Sequence, residues 1–313
     1  RIGDEIRREV RGQRATAETT FTATQPVPET VKEIRLSFAI GTVTITGENR
    51  DDIAAEMHVR STGYDAAEAE KLAKASILTF DEAGELLIVT GRFPREGRQT
   101  PALKLRVPSR LGIRLDEKGS TLEVSDVASV LIGSGRGRTT IQRVAGAVTV
   151  TQRSSEVSVT DVGSLKLSTS GGAEARVSQV RGDTSLSIQT GELRAEDLRG
   201  NLEVESRIAE LQFDKLEKLT GTVRVNANMG EVVFTGLRAD TRIDGRRTEI
   251  RVDHAGGAPV AIYNEGETIE LTVPAAGFTL DARAVGGEIS LDETLTAAGL
   301  AVEGGGGETP PGA

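Results

Sequence analysis

Residues 144–163 read VAGAVTVTQRSSEVSVTDVG. Val148 and Val150 alternate with Thr149 and Thr151, and Val157 and Val159 alternate with Ser158 and Thr160. A period of two is the mark of a strand with one face in the core. Gln152, Arg153, Ser154 and Ser155 separate the two runs as a polar turn. The stretch begins and ends on an apolar residue close to a glycine, Val144 before Gly146 and Val162 before Gly163. Two strands and a short third element thus close one unit.

The unit recurs. Its third apolar residue falls at Val127, Val144, Val162, Val180, Leu198, Leu216, Leu237, Ala255 and Val273, with gaps of 17, 18, 18, 18, 18, 21, 18 and 18. Gly146, Gly163, Gly182, Gly200 and Gly257 follow it, and Lys218 and Ala239 take that place in two units; extra residues around Leu219–Thr222 break the register once. Between the strands, Gly191, Gly230 and Gly287 mark turns where left-handed backbone angles favour glycine. A fixed period of this kind is the signature of a repeat architecture whose units must stack to bury their apolar faces. Of the two arrangements open to short alternating strands, a meander sandwich or a coil, the constant apolar column favours the coil. Eighteen extended residues give a perimeter of about 60 Å. The expected fold is all-β: a β-solenoid or β-helix of about 18 residues per turn, right-handed by analogy with other β-helices.

The expected organisation has four parts. Residues 1–31 form a charged lead segment, RIGDEIRREVRGQR with helical character, followed by the proline-marked linker TQPVPET. Residues 32–107 form an N-terminal β region whose apolar alternation runs through Ile34, Leu36, Phe38, Ile40, Val43, Ile45, Ile53, Ala55, Met57 and Val59, and on through Leu86, Ile88, Leu103, Leu105 and Val107. Within it, a helix near 65–74 with Asp65 as N-cap covers one end of the coil. Residues 108–293 are the solenoid, and 294–313, with EGGGGETPPGA, are a flexible Gly/Pro-rich tail.

If Val157 and Val159 point inward, their neighbours point outward. Carried through the repeats, this places Glu156, Glu174, Glu192, Glu210, Glu231 and Glu249 in one column, with Glu288 two turns on. Ser158, Arg176, Arg194, Gln212, Val233 and Arg251 form the next, and Thr160, Ser178, Glu196, Asp214, Thr235 and Asp253 a third. Stacked carboxylates about 5 Å apart repel by about 1 kcal/mol in water, which the arginine column offsets. The column reads first as a solvated ion-pair ladder and second as an acidic stripe that binds divalent cations or a cationic envelope partner. A flat ladder does not converge enough oxygens for tight calcium binding. The other long face carries Thr149, Thr151, Lys166, Ser168, Ser185, Ser187, Asn201, Thr222 and Asn226, a flat hydroxylated surface that could lie against glycans or another copy.

Little in the chain points to catalysis. There are no cysteines and only two histidines, His58 on a strand and His254 at a turn, both read as solvated or structural. No nucleophile elbow, phosphate loop or zinc-protease motif occurs. Aromatic residues are 3% and tryptophan is absent, so platforms for sugar rings are scarce. A net charge of −9 argues against nucleic acid as partner, and no apolar run reaches the length of a membrane span. No catalytic residue, metal or cofactor is expected.

The stretches IRLSFAIGTVTITG (34–47), GAVTVTQRSSEVSVTDVG (146–163) and GNLEVESRIAELQFDKL (200–216) resemble the bacterial putative-adhesin family of β-strand-repeat proteins, over roughly residues 32–293. The resemblance implies an extracytoplasmic or surface-exposed β-solenoid, and it carries over no site residues. The chain opens at Arg1, which fits a removed leader or anchor. The expected function is therefore that of a non-enzymatic surface adhesin or envelope scaffold that binds surfaces, glycans or proteins. A self-assembling structural subunit that forms a filament or layer through end-to-end or terminal-strand contacts is the alternative, and a polysaccharide-acting enzyme a minor one.

Overall fold

The computed structural model describes residues 14–38, 40–118, 121–153 and 156–274. The chain divides into two compact units, Arg1–Val273 and Pro274–Ala313, and only the first is described beyond its margin. The charged segment 1–13, the solenoid residues 275–293 with Gly287 and Glu288, and the tail 294–313 lie outside the described residues.

The elements are β1 (Ala15–Pro26), β2 (Glu33–Ser37), β3 (Thr42–Glu48), β4 (Asp52–Gly63), α1 (Ala66–Lys74), β5 (Ile77–Ala83), β6 (Leu86–Arg92), β7 (Arg98–Pro108), β8 (Gly112–Lys118), β9 (Thr121–Ser125) and β10 (Ser129–Gly135). After them come the long strands β11 (Thr139–Arg153), β12 (Glu156–Val180), β13 (Thr184–Leu198), β14 (Leu202–Asp214), β15 (Thr222–Leu237) and β16 (Asp240–His254), then β17 (Val260–Glu265) and β18 (Ile269–Thr272). The fold is a β-solenoid of about 9 turns with ~18 residues per turn.

Each long strand bends at a corner and serves two sheets. Sheet one runs through β5, β6, β2, β8 and β10, then the second part of β11, the middle of β12, the first parts of β13 to β16, and β17. Sheet two runs through β1, β4, β7, β3 and β9, then the remaining parts of β11 to β16, and β18. Pairing is parallel throughout the coil and antiparallel at its start, in β1–β4, β4–β7 and β5–β6. Asp65 caps α1 by accepting from the Glu68 N–H at 2.9 Å, and Ala69, Leu72 and Ala73 are its buried residues.

The core is a set of columns. Along sheet one Leu87, Ile34, Ile113, Val130, Val148, Leu165, Thr184, Leu202, Val223 and Thr241 stand in register, all buried. Under sheet two, Phe213 stacks on Phe234 with ring centres 4.7 Å apart. The repeating third apolar residue is buried from Val127 through Leu237, with Val144 paired to Val162 and Val180 to Leu198. The column fades at Ala255, which is exposed, and Val273, which is half-buried. The three-residue insertion is absorbed at one corner, where Leu219 is buried and its N–H donates to Leu216 O at 3.0 Å.

Two features depart from expectation. The sequence places residues 15–26 within a lead segment and linker, yet they form β1, in unbroken register with β4 over twelve pairs. Left-handed backbone angles occur at Gly191 and Gly230 as expected, but a second series occupies the residue just before each of the first six third apolar positions: Asp126, Arg143, Asp161, Gln179, Asp197 and Lys215, with φ between 50° and 61°. On six rungs this corner turns the chain without glycine, and on the next, before Leu237, Gly236 takes the position with φ 69°. Its first three side chains alternate in sign, and the Arg143 guanidinium donates Nε and Nη2 to the Asp126 carboxylate, both at 2.7 Å. That bidentate bond holds the Asp126 carboxyl below its ordinary range.

Candidate interaction faces

Sheet two carries the glutamate column. Glu174 pairs with Glu192, Glu192 with Glu210, Glu210 with Glu231 and Glu231 with Glu249. The arginine column is likewise in register, through Arg176–Arg194, Arg194–Gln212, Gln212–Val233 and Val233–Arg251. The two columns neutralise one another at their ends. At the upper end Arg138 reaches Glu156 at 2.8 Å, and Arg176 bonds Glu174 while standing 4.0 Å from Glu156. At the lower end Arg251 meets Glu249 at 2.5 Å, Glu231 at 3.2 Å and Glu270 at 3.3 Å. The first of these bonds keeps the Arg251 guanidinium more firmly protonated than usual.

The middle differs. Among the described residues no ion pair reaches Glu192, Glu210 or Arg194, and all three side chains are exposed. Beside them, Lys215 bonds Glu196 at 2.5 Å, and Asp214 accepts from Gln212 Nε2 at 2.8 Å and from Thr235 Oγ1 at 2.7 Å. The centre of sheet two therefore presents two stacked carboxylates with one guanidinium alongside, unsaturated as donors and acceptors. The register is legible in the sequence. The distribution of ion pairs is not, because it depends on rotamers two residues and one rung apart.

On sheet one Thr149 pairs with Lys166 and Lys166 with Ser185, while Thr151 pairs with Ser168 and Ser168 with Ser187. This hydroxylated surface spans three rungs and then becomes charged, at Glu203 beyond Ser185 and Glu205 beyond Ser187. Asn201 and Thr222 belong to its corner: the Asn201 N–H donates to Asp183 Oδ1 at 2.8 Å, and the Thr222 N–H to Asn201 Oδ1 at 3.0 Å. They form a side-chain-to-backbone ladder in place of an open flat face. Towards the start of sheet one, Arg35, Ser37, Ile88, Thr90 and Asp116 line a shallow recess over Phe38. Asp116 accepts from Arg114 Nε at 2.8 Å and Arg35 Nε at 2.6 Å, the first bond being the main cause of its depressed pKa.

Neither histidine joins a catalytic constellation among the described residues. His58 Nδ1 lies 3.2 Å from Thr20 Oγ1, and its Nε2 lies 3.7 Å from Glu18. His254 reads as solvated in the sequence; it is half-buried instead, and its Nδ1 accepts from the Gly256 N–H at 3.3 Å. Among the described residues no three His, Asp or Glu side chains cluster as a metal site, and no helix is long and apolar enough to cross a membrane.

No protein-family model matches the sequence, and no curated protein does. Among solved structures, a putative adhesin from Parabacteroides distasonis is similar with a TM-score of 0.42 and 12% identity, over 81% of this chain and 97% of that one. A putative lipid binding protein from the same organism has a TM-score of 0.37 and 10% identity, over 82% of this chain and 97% of that one. A putative adhesin from Parabacteroides merdae has a TM-score of 0.35 and 13% identity, over 84% of this chain and 97% of that one.

Proposed function

We propose that this chain is a non-enzymatic, extracytoplasmic binding scaffold of the adhesin type, whose sheet faces dock on glycan or protein surfaces. The observation that carries the reading is the in-register repetition on sheet two, where five glutamates from Glu174 to Glu249 occupy one lateral position on successive rungs. Parallel strands about 4.8 Å apart present identical chemistry at a fixed interval, which suits a partner that is itself extended. Among the described residues, Glu192, Arg194 and Glu210 are the exposed part of that face to which no ion pair is made. A flat face held by a stacked backbone needs no rearrangement on binding, so little ordering entropy opposes contact.

The test compares the wild-type chain with the Glu192→Gln/Glu210→Gln double variant on glycan arrays and on envelope fractions. Binding by the wild type that the variant loses, or that salt weakens, supports the reading. Unaltered binding by the variant moves the interface off sheet two, and release of reducing ends from a matrix polysaccharide overturns the non-enzymatic reading. A second reading, self-association through a terminal strand, is favoured by the edge of β1, which pairs with no strand other than β4 among the described residues.

A further inference from the structure

On sheet one the long strands turn three side chains inward, and the third stands at the corner where the chain bends towards sheet two. Val148 and Val150 precede Gln152, and Leu165 and Leu167 precede Thr169. Gln152 and Thr169 are each 1% exposed, so an amide and a hydroxyl lie as deep as the aliphatic side chains beside them. Ser206 and Asn264 continue the same column on later rungs. Among the described residues eight buried side-chain polar atoms make no hydrogen bond within the protein, and four of them stand in this column: Gln152 Oε1, Thr169 Oγ1, Ser206 Oγ and Asn264 Oδ1. The corner is thus a polar strip in a largely aliphatic lining.

Cores avoid such atoms, because a buried polar group without a partner gives up its hydration for nothing. Gln152 and Thr169 are direct neighbours in the ladder between β11 and β12, on strands about 4.8 Å apart. One small molecule between the two side chains reaches both. The Gln152 amide is held by its Nε2, which donates to Thr139 Oγ1 across the corner, so Oε1 is left as an acceptor. The Thr169 hydroxyl can donate or accept. An occupant this deep has to be uncharged, since burying an unpaired ion is prohibitive. It has to fit between two rungs and to donate to an amide oxygen. Water meets all three conditions.

We propose that an ordered internal water bridges Gln152 and Thr169, donating to Gln152 Oε1 and accepting from the Thr169 hydroxyl. With the bond from Gln152 to Thr139, it ties both ends of β11 to the middle of β12 in one network. The inclusion also marks its rung. A slip of β11 by one whole turn would leave the aliphatic columns aliphatic, but it would set Gln152 beside Ile188, where no hydroxyl meets the water. A coil whose apolar columns are nearly interchangeable thereby gains one position that is not.

The experiment is a high-resolution crystal structure of the full wild-type chain, together with thermal melts of the wild type and Thr169→Val. The map is expected to show a water within hydrogen-bond distance of both Gln152 Oε1 and Thr169 Oγ1. Valine matches threonine in shape and in its branched Cβ, so the variant removes the hydroxyl and little else. The two accounts of that hydroxyl predict opposite signs. A hydroxyl without any partner is a burden, and its replacement by a methyl group raises the melting temperature. A hydroxyl that holds a bridging water leaves that water short of a bond when it is removed, so the melting temperature is expected to fall. A map with no water between the two atoms overturns the proposal, as does one in which a protein group, Ser154 or Ser155 included, makes the bond to Gln152 Oε1. So does a melting temperature that holds or rises in Thr169→Val.

Discussion

Two glycines at one corner of successive rungs, Gly172 and Gly191, should respond oppositely to alanine. Gly191 has φ +123° and stacks on Ala173, so a Cβ there would stand 2.0 Å from Ala173 O. Backbone in that region costs an L-residue about 1–3 kcal/mol. The overlap is with backbone, not with a flexible side chain, and relieving it costs about 1–3 kcal/mol more. Gly191→Ala is therefore expected to destabilise by about 2–5 kcal/mol. A Cβ on Gly172 would meet nothing within 4 Å, and no left-handed angle is required there. Gly172→Ala is expected to stabilise by about 0.4–1 kcal/mol, because it narrows the unfolded ensemble. Urea unfolding followed by circular dichroism measures both, and hydrogen exchange at Val177 and Leu193 shows whether loss is local to these rungs, as expected where each rung contacts only its neighbours. If Gly191→Ala unfolds with the wild type, or Gly172→Ala proves equally damaging, the rungs do not stack as described.

Other outcomes follow from the charges. Glu210→Gln removes one member of a stacked carboxylate pair and should stabilise by at most about 0.8 kcal/mol at low salt, the gain shrinking as salt is added in thermal melts. Arg251→Ala leaves Glu231, Glu249 and Glu270 without their shared cation, so its melting temperature should fall, and more steeply at low ionic strength. Asp126 and Asp116 have pKa values lowered on folding by Arg143 and Arg114, so their stabilisation is complete above the ordinary aspartate value of 3.8 and is lost as pH falls through the folded values. Asp126→Asn should accordingly flatten the acid limb of an unfolding-versus-pH curve, and an unchanged limb would show that the bond to Arg143 contributes nothing there.

The coil is legible in the sequence because the period hardly varies: Val144, Val162 and Val180 announce a stack before any strand is placed, and the glutamate column follows by counting. Two things are hidden for definite reasons. On six rungs the left-handed corner is occupied by Asp, Arg, Gln or Lys, which share no one chemistry, and only before Leu237 by a glycine, Gly236. Its only trace is position, one residue before each third apolar side chain. Strand β1 escapes notice because its inward residues are Ala17, Thr19, Phe21 and Ala23, only half-buried at the end of the coil, and so too weakly apolar to signal a strand. The middle of the glutamate column shows the same limit, since lateral position is countable while the partner each side chain selects is not.

The stacking of one turn per rung also sets how the chain answers load. Strands lie across the axis and the bonds between rungs lie along it, so tension applied across the two ends of the described coil acts on one rung at a time. A turn of ~18 residues occupies about 4.8 Å of axis and, once unwound, spans about 60 Å. Each surrendered rung therefore lengthens the tether more than tenfold over what it occupied, and a molecule anchored at both ends should give way in even steps, sparing whatever its remaining rungs hold.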